Sequence, residues 1–111
     1  MNKRFRLKKS SDFQRVRRAG KAIAHPFVVL LYLPNEIEQV RVGVAAGKSI
    51  GNAVQRNRAK RVLRAAMQAF LTDLRPGFDI ILIARKPVLE AKSTDLMKIL
   101  HPRLEKAGLL N

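Results

Sequence analysis

The order helix, strands, helix, strand, helix predicts an α/β sandwich in which helices cover one face of a small sheet. Three observations carry that reading. The chain has 111 residues, 47% of them apolar, which is enough for one core and one domain spanning 1–111. Two short apolar runs, 27–33 and 78–84, are bounded by proline or glycine, as buried strands are. Between them, residues 56–70 repeat their apolar positions with helical spacing.

Taken in order, residues 1–9 read as an extended basic arm. Ser11-Asp12-Phe13-Gln14 fits a capping box with Ser11 as N-cap, and the short helix that follows stops at Gly20. His25-Pro26 breaks the chain before the 27–33 strand. Residues 40–46 alternate and read as the hairpin partner of that strand. Asn52, with Gln55 three residues on, caps a helix that runs to Leu74, where Pro76-Gly77 ends it. The 78–84 strand and an Arg85-Lys86-Pro87 turn lead to a last helix capped by Ser93 or Thr94. Pro102 should kink or end that helix.

The charge narrows the function. Lys and Arg number 23 against 8 Asp and Glu, a net +15. A compact body with that charge repels itself, so a polyanion is the expected partner. The acids are also unevenly placed, since 39–72 contains seven Lys or Arg and no carboxylate. Cysteine is absent and only His25 and His101 are present, which excludes disulfides, thiolate metal sites and multi-histidine sites. No run approaches the ~20 apolar residues needed to span a bilayer, and no apolar segment follows the basic start. A cytoplasmic protein with no membrane partner is the expectation.

Gly43-Val44-Ala45-Ala46-Gly47-Lys48-Ser49 resembles a phosphate-binding loop but has three residues between its glycines instead of four. No nucleotide cofactor is therefore expected, although Lys48 and Ser49 could still meet a nucleic-acid phosphate.

The densest signal is the 56–64 run. At about 100° per residue, with Arg56 at zero, Lys60 falls near 40°, Arg64 near 80°, Asn57 near 100° and Arg61 near 140°. Arg58 lies near 200°, and Ala59, Val62, Leu63, Ala66 and Phe70 fill the arc between about 240° and 340°. One face docks on the sheet and the other is a cationic stripe. No Glu at i−4 or i+4 balances it, so like charges repel until a phosphate backbone relieves them. A membrane-surface helix is the competing reading, but this apolar face is rich in alanine and lacks Trp. RNA is preferred to DNA because no helix-turn-helix, zinc finger or zipper spacing occurs. Phe13, Phe27 and Tyr32 are each either base-stacking residues or core. The acids offer no catalytic pair, and His25 and His101 each sit beside a proline, so no catalytic residue is assigned and the protein alone should cut nothing.

Arg56-Asn57-Arg58-x-Lys60-Arg61-x-x-Arg64, preceded by Ile50-Gly51-Asn52-Ala53-Val54, resembles the signature of the bacterial ribonuclease P protein subunit. Arg6-Leu7-Lys8-Lys9, Asp12-Phe13, Gly20 and the 81–87 run are similar to that family as well, so the resemblance covers 4–105. It implies a two-layer sandwich with a small mixed sheet, in the order αβββαβα, and a left-handed βαβ crossover that the usual handedness rule would not give. It implies a catalytic RNA as partner and removal of the 5′ leader from precursor tRNA. Magnesium would belong to the ribonucleoprotein, with no cofactor held by the protein itself. By match, catalytic-RNA contacts fall to Lys48, Ser49, Asn52, Arg56, Asn57, Arg58, Lys60, Arg61 and Arg64. By match, a leader cleft is lined by Phe13, Arg17, Phe27, Val29, Leu30 and Tyr32. Arg17 departs from the aromatic residue common in relatives. The alternative functions are a ribosomal protein or RNA chaperone without a part in cleavage, or an autonomous nuclease.

Overall fold

In the computed structural model, which describes residues 3–111, the elements are α1 (Ser10–Ala19), β1 (Lys21–Ala24), β2 (Val28–Pro34), β3 (Arg41–Ala45), α2 (Ala53–Gln68), β4 (Phe78–Ala84) and α3 (Ser93–Lys106). Three helices and one four-stranded mixed sheet make an α+β fold, and the strand order is β1-β2-β4-β3. β2 pairs antiparallel with both β1 and β4, whereas β3 and β4 are parallel. The hairpin expected between 27–33 and 40–46 does not form, because β4 lies between those strands. β4 is apolar on both faces, with Ile80, Ile81 and Leu82 all fully buried, and only a central position hides both sides of a strand.

The register sorts the sheet into two faces. Val28, Leu30, Val42, Val44, Ile80 and Leu82 point into the main core, where α2 supplies Ala59, Leu63, Ala66 and Met67 and α3 supplies Leu96, Leu100 and Leu104. Leu31 and Ile81 point to the other face, where they meet Val16 of α1 and Leu7. Helices therefore lie on both faces of the sheet, not one. The loop 25–28, closed by His25 N–H to Val28 O at 2.9 Å, joins β1 to β2, and β1 is the strand whose position the sequence left unlocated.

Helix boundaries differ from the sequence reading for local reasons. α1 begins at Ser10, so Ser11 lies inside it, and Lys9 precedes it without a side-chain cap. Gly20 does end α1, but with extended backbone and for space: a Cβ there would lie 2.5 Å from Val16 O and 2.9 Å from Tyr32 O. α2 stops at Gln68 and continues as a 3-10 turn, Leu71–Asp73, which lets Phe70, Leu71 and Leu74 all bury. Pro102 does not end α3, which continues to Lys106. An interior proline costs ~3 kcal/mol, but Leu96, Leu100 and Leu104 are each fully buried on one face and each contributes ~1.5–3 kcal/mol by leaving water. Lys92, not Ser93 or Thr94, stands before α3, and its N–H donates to Asp95 Oδ2 at 3.0 Å.

The N-terminal arm is tied down where it is described. Arg6 bridges Val42 in parallel, Leu7 N–H donates to Val42 O at 2.9 Å, and Leu7 is buried. Met1 and Asn2 lie outside the described residues.

Candidate nucleic-acid interface

α2 starts from the capping box read in the sequence. Gln55 N–H donates to Asn52 Oδ1 at 2.9 Å, and Asn52 N–H donates to Gln55 Oε1 at 2.9 Å. Gly51 makes this possible: its φ is 140°, and a Cβ there would sit 1.9 Å from Gln55 Oε1. Asn52 Oδ1 thus serves the helix rather than a ligand. Arg56 is likewise turned to the loop, with Nη1 donating to Gly51 O at 3.1 Å.

Beyond that first turn the predicted stripe is present. Asn57, Lys60, Arg61 and Arg64, with Ala65, line one surface depression, and Arg6 from the arm completes it. Sequence reasoning missed Arg6, whose place is set by the Leu7–Val42 hydrogen bond and not by any local pattern. Among the described residues none of these cations pairs with a carboxylate. Partial burial first, and the Arg6 guanidinium second, push the Arg64 guanidinium below its ordinary value. Four cations crowded without a counter-ion form a surface complementary to phosphates. Lys48, Ser49 and Arg58 are exposed but do not line this depression. Ser49 faces a separate hollow with His25, Arg85 and Lys86. Gly43, the first glycine of the loop that resembles a phosphate cradle, lies inside β3.

A second surface lies on the opposite face of the sheet. Direct cross-strand partners share a face, so three rows of side chains run across it: Leu33, Asp79 and Arg41; then Ala22, Leu31, Ile81 and Gly43; then Ala24, Val29, Ile83 and Ala45. α1 covers the first two rows. Phe13 lies directly on Gly43, where a Cβ would come within 2.5 Å of its Cζ, and Val16 is fully buried. The members of the third row are exposed or half-buried, and Val29 and Ile83 pack against the cluster of Leu7, Val16, Leu31 and Ile81. This leaves an apolar strip beside α1, with Arg17 exposed one helical turn after Phe13.

That geometry corrects the cleft read from the sequence. Val29 is on the strip. Leu30 is fully buried in the main core on the other face and cannot touch a ligand. Tyr32 and Phe27 also pack against the main core, Phe27 with its ring edge-on to His25 at 5.3 Å. Of the three open aromatic candidates only Phe13 lies on the strip side, and there it is largely a packing residue. Ala24, Ala45 and Ile83 were missed, because only the strand order brings them to Val29.

The first row holds the one fully buried charge among the described residues. Asp79 accepts from Arg41 Nε at 2.9 Å on Oδ1 and from Arg41 Nη2 at 2.8 Å on Oδ2. Asn35 Nδ2 adds a bond to Oδ1 at 2.9 Å, and Arg15 Nη2 of α1 donates to Oδ2. Asp12 approaches Arg41 at 3.6 Å and Arg15 at 3.8 Å. Burial alone would raise the Asp79 carboxyl, but the hydrogen bonds from Arg41, Asn35 and Arg15 outweigh it and hold the group below its ordinary value.

Comparison with known proteins shows the family. The family model described as Ribonuclease P matches residues 1–108. The chain belongs to the ribonuclease P protein family. It is 43% identical to the ribonuclease P protein component of Bacillus velezensis over 98% of this chain and 94% of that one. It is 36% identical to that of Caldanaerobacter subterraneus, over 94% and 90%. The fold superposes on the Staphylococcus aureus RNase P protein with a TM-score of 0.83 at 33% identity, covering 96% and 98% of the two chains. It superposes on the Thermotoga maritima protein with a TM-score of 0.79 at 27% identity, covering 91% and 96%. As a ribonuclease P protein the chain is one component of an endoribonuclease that processes tRNA with an RNA subunit. No helix among its described residues is long and apolar enough to cross a membrane.

Proposed function

We propose that this ribonuclease P protein binds its catalytic RNA through the cationic face of α2 and receives the 5′ leader of precursor tRNA on the apolar strip beside α1. The observation that carries the first contact is the depression formed by Arg6, Asn57, Lys60, Arg61 and Arg64, crowded with cations and free of carboxylates. Lys48, Ser49, Arg56 and Arg58 extend that contact by family match. The leader reading rests on the strip of Ala24, Val29, Ile83 and Ala45, beside which Phe13 packs on Gly43 and α1 exposes Arg17. A single strand can lay base faces on such a surface, while Arg17 holds a phosphate.

The protein assists cleavage; the RNA performs it, with magnesium. We place the magnesium with the RNA: among the described residues no three His, Cys, Asp or Glu side chains converge into an all-protein cage, and a hydrated magnesium ion is held largely by phosphates and water. Asp79, the chain's buried carboxylate, is already surrounded by guanidinium and amide donors. The work is done in the cytoplasm.

Mixing the protein with the catalytic RNA and precursor tRNA at low magnesium tests the proposal. The protein should restore leader removal that the RNA alone performs poorly, and should cut no RNA by itself. An RNA-chaperone role would give binding without any gain in cleavage.

A further inference from the structure

Asp79 does nothing in the proposed RNA contacts, yet it is fully buried and its carboxylate accepts four side-chain hydrogen bonds. Stability alone is a poor reason for it. Exchanging a buried ion pair for well-packed apolar groups is often neutral or favourable, whereas its best-attested use is to fix one register among several. α1 is the element whose register needs fixing. It has ten residues and only Val16 of them is fully buried, so apolar packing sets its height and rotation weakly. Phe13 rests on a bare glycine, which offers no side chain to stop it sliding.

Arg15 stands midway in the chain between Phe13, which packs on Gly43 beside the strip, and the exposed Arg17. Its guanidinium reaches Asp79 on β4, and Arg41 of β3 grips both oxygens of that carboxylate from the neighbouring strand. The carboxylate is thus immobile before Arg15 docks. Asp12, one turn before Arg15, closes the set on Arg41 at 3.6 Å. Two charged residues of α1 are therefore referenced to two adjacent strands.

We infer that Arg15 and Asp79 are positioning residues for leader recognition: the ion pair sets the rotation and height of α1, and so the spacing between Phe13, Arg17 and the strip. This rests on the strip being the leader site. Arg15 touches no nucleotide; it acts through the helix.

Arg15→Ala is the clean variant, because Asp79 keeps Arg41 and Asn35 and the buried charge stays satisfied. In the reconstituted ribonucleoprotein, Arg15→Ala should raise KM for precursor tRNA roughly fivefold, as expected when a base contact is misplaced, with kcat changed less than twofold. Affinity for mature tRNA and for the catalytic RNA should stay put. Arg15→Lys, which keeps a cation beside Asp79, should recover most of the loss. The salt slope of precursor binding should not change. A slope smaller by roughly 0.7 would make Arg15 a direct phosphate contact and overturn the inference. So would an unchanged KM in a variant whose melting temperature matches the parent. Ile83→Asp separates the two levels. If it leaves the preference for precursor over mature tRNA intact, the strip is not the leader site and both readings fall. If it abolishes that preference while Arg15→Ala does not alter it, only the positioning role falls.

Discussion

Removing Lys60 and Arg61 together should remove half of the electrostatic contact with the catalytic RNA. The depression on α2 holds four cations, Arg6, Lys60, Arg61 and Arg64. If each meets one phosphate of a duplex segment, the log–log slope of affinity against salt is about −3.6, at about −0.9 per phosphate. A rise from ~50 to ~200 mM salt then weakens binding roughly 150-fold. In Lys60→Ala/Arg61→Ala the slope should fall to about −1.8 and the same rise should cost roughly 12-fold. The fold should survive, since Arg61 is exposed, Lys60 is half-buried, and alanine favours the helix more than either. Filter binding or fluorescence titration at several salt concentrations reads the slope, and circular dichroism confirms the helix. The control is Lys98→Ala/Lys106→Ala, which removes the same charge from exposed positions on α3. A folded Lys60→Ala/Arg61→Ala protein with the parental slope would refute the site. An equal loss in the control pair would show that net charge matters and the depression does not.

Asp79→Asn should cost ~3 kcal/mol, the low end for breaking a buried pair, because Arg15 and Arg41 are 39% and 27% exposed and partly rehydrate. A thermal melt should fall by at least ~10 °C. Since the folded carboxyl titrates below its ordinary value, its stabilisation is complete above about pH 4 and fades as pH drops through the folded value. The gap between parent and Asp79→Asn should therefore be flat from neutral pH to about 5 and close below 4; a gap that widens in acid would contradict the assignment. Phe13→Ala should weaken precursor tRNA by ~1–3 kcal/mol and leave mature tRNA unchanged, with a melt run beside it because the ring also packs on Gly43. Gly51→Ala should destabilise the protein by ~1–3 kcal/mol, since alanine must hold a positive φ and displace Gln55 from the cap; an unaltered melt would mean that the capping box is dispensable.

What the sequence determined by itself was local. A helix places every residue by a fixed rotation from its neighbour, so the 56–64 run already states which side is cationic and which is apolar. The structure keeps Asn57, Lys60, Arg61 and Arg64 together and buries Ala59 and Leu63. The Asn52–Gln55 cap was legible for the same reason, being a contact across three residues. The family signature lies in that same stretch. The strands were visible as apolar runs, but their faces and partners were not. A central strand is apolar on both sides, so nothing in 27–33 says that Val29 lines an open strip while Leu30 is sealed in the core. Nor could the run say that β4, some fifty residues on, would displace β3 as the partner of β2. Pro102 did not end α3 because a local penalty was outweighed by the burial of three leucines, which only packing reveals. Arg6 joins the α2 face, and Arg15, Arg41 and Asp79 converge, only through contacts between residues distant in the chain. Periodicity encodes the environment of a residue relative to its neighbours; which distant residue completes that environment depends on strand order and helix docking, and these minimise the free energy of the whole chain at once.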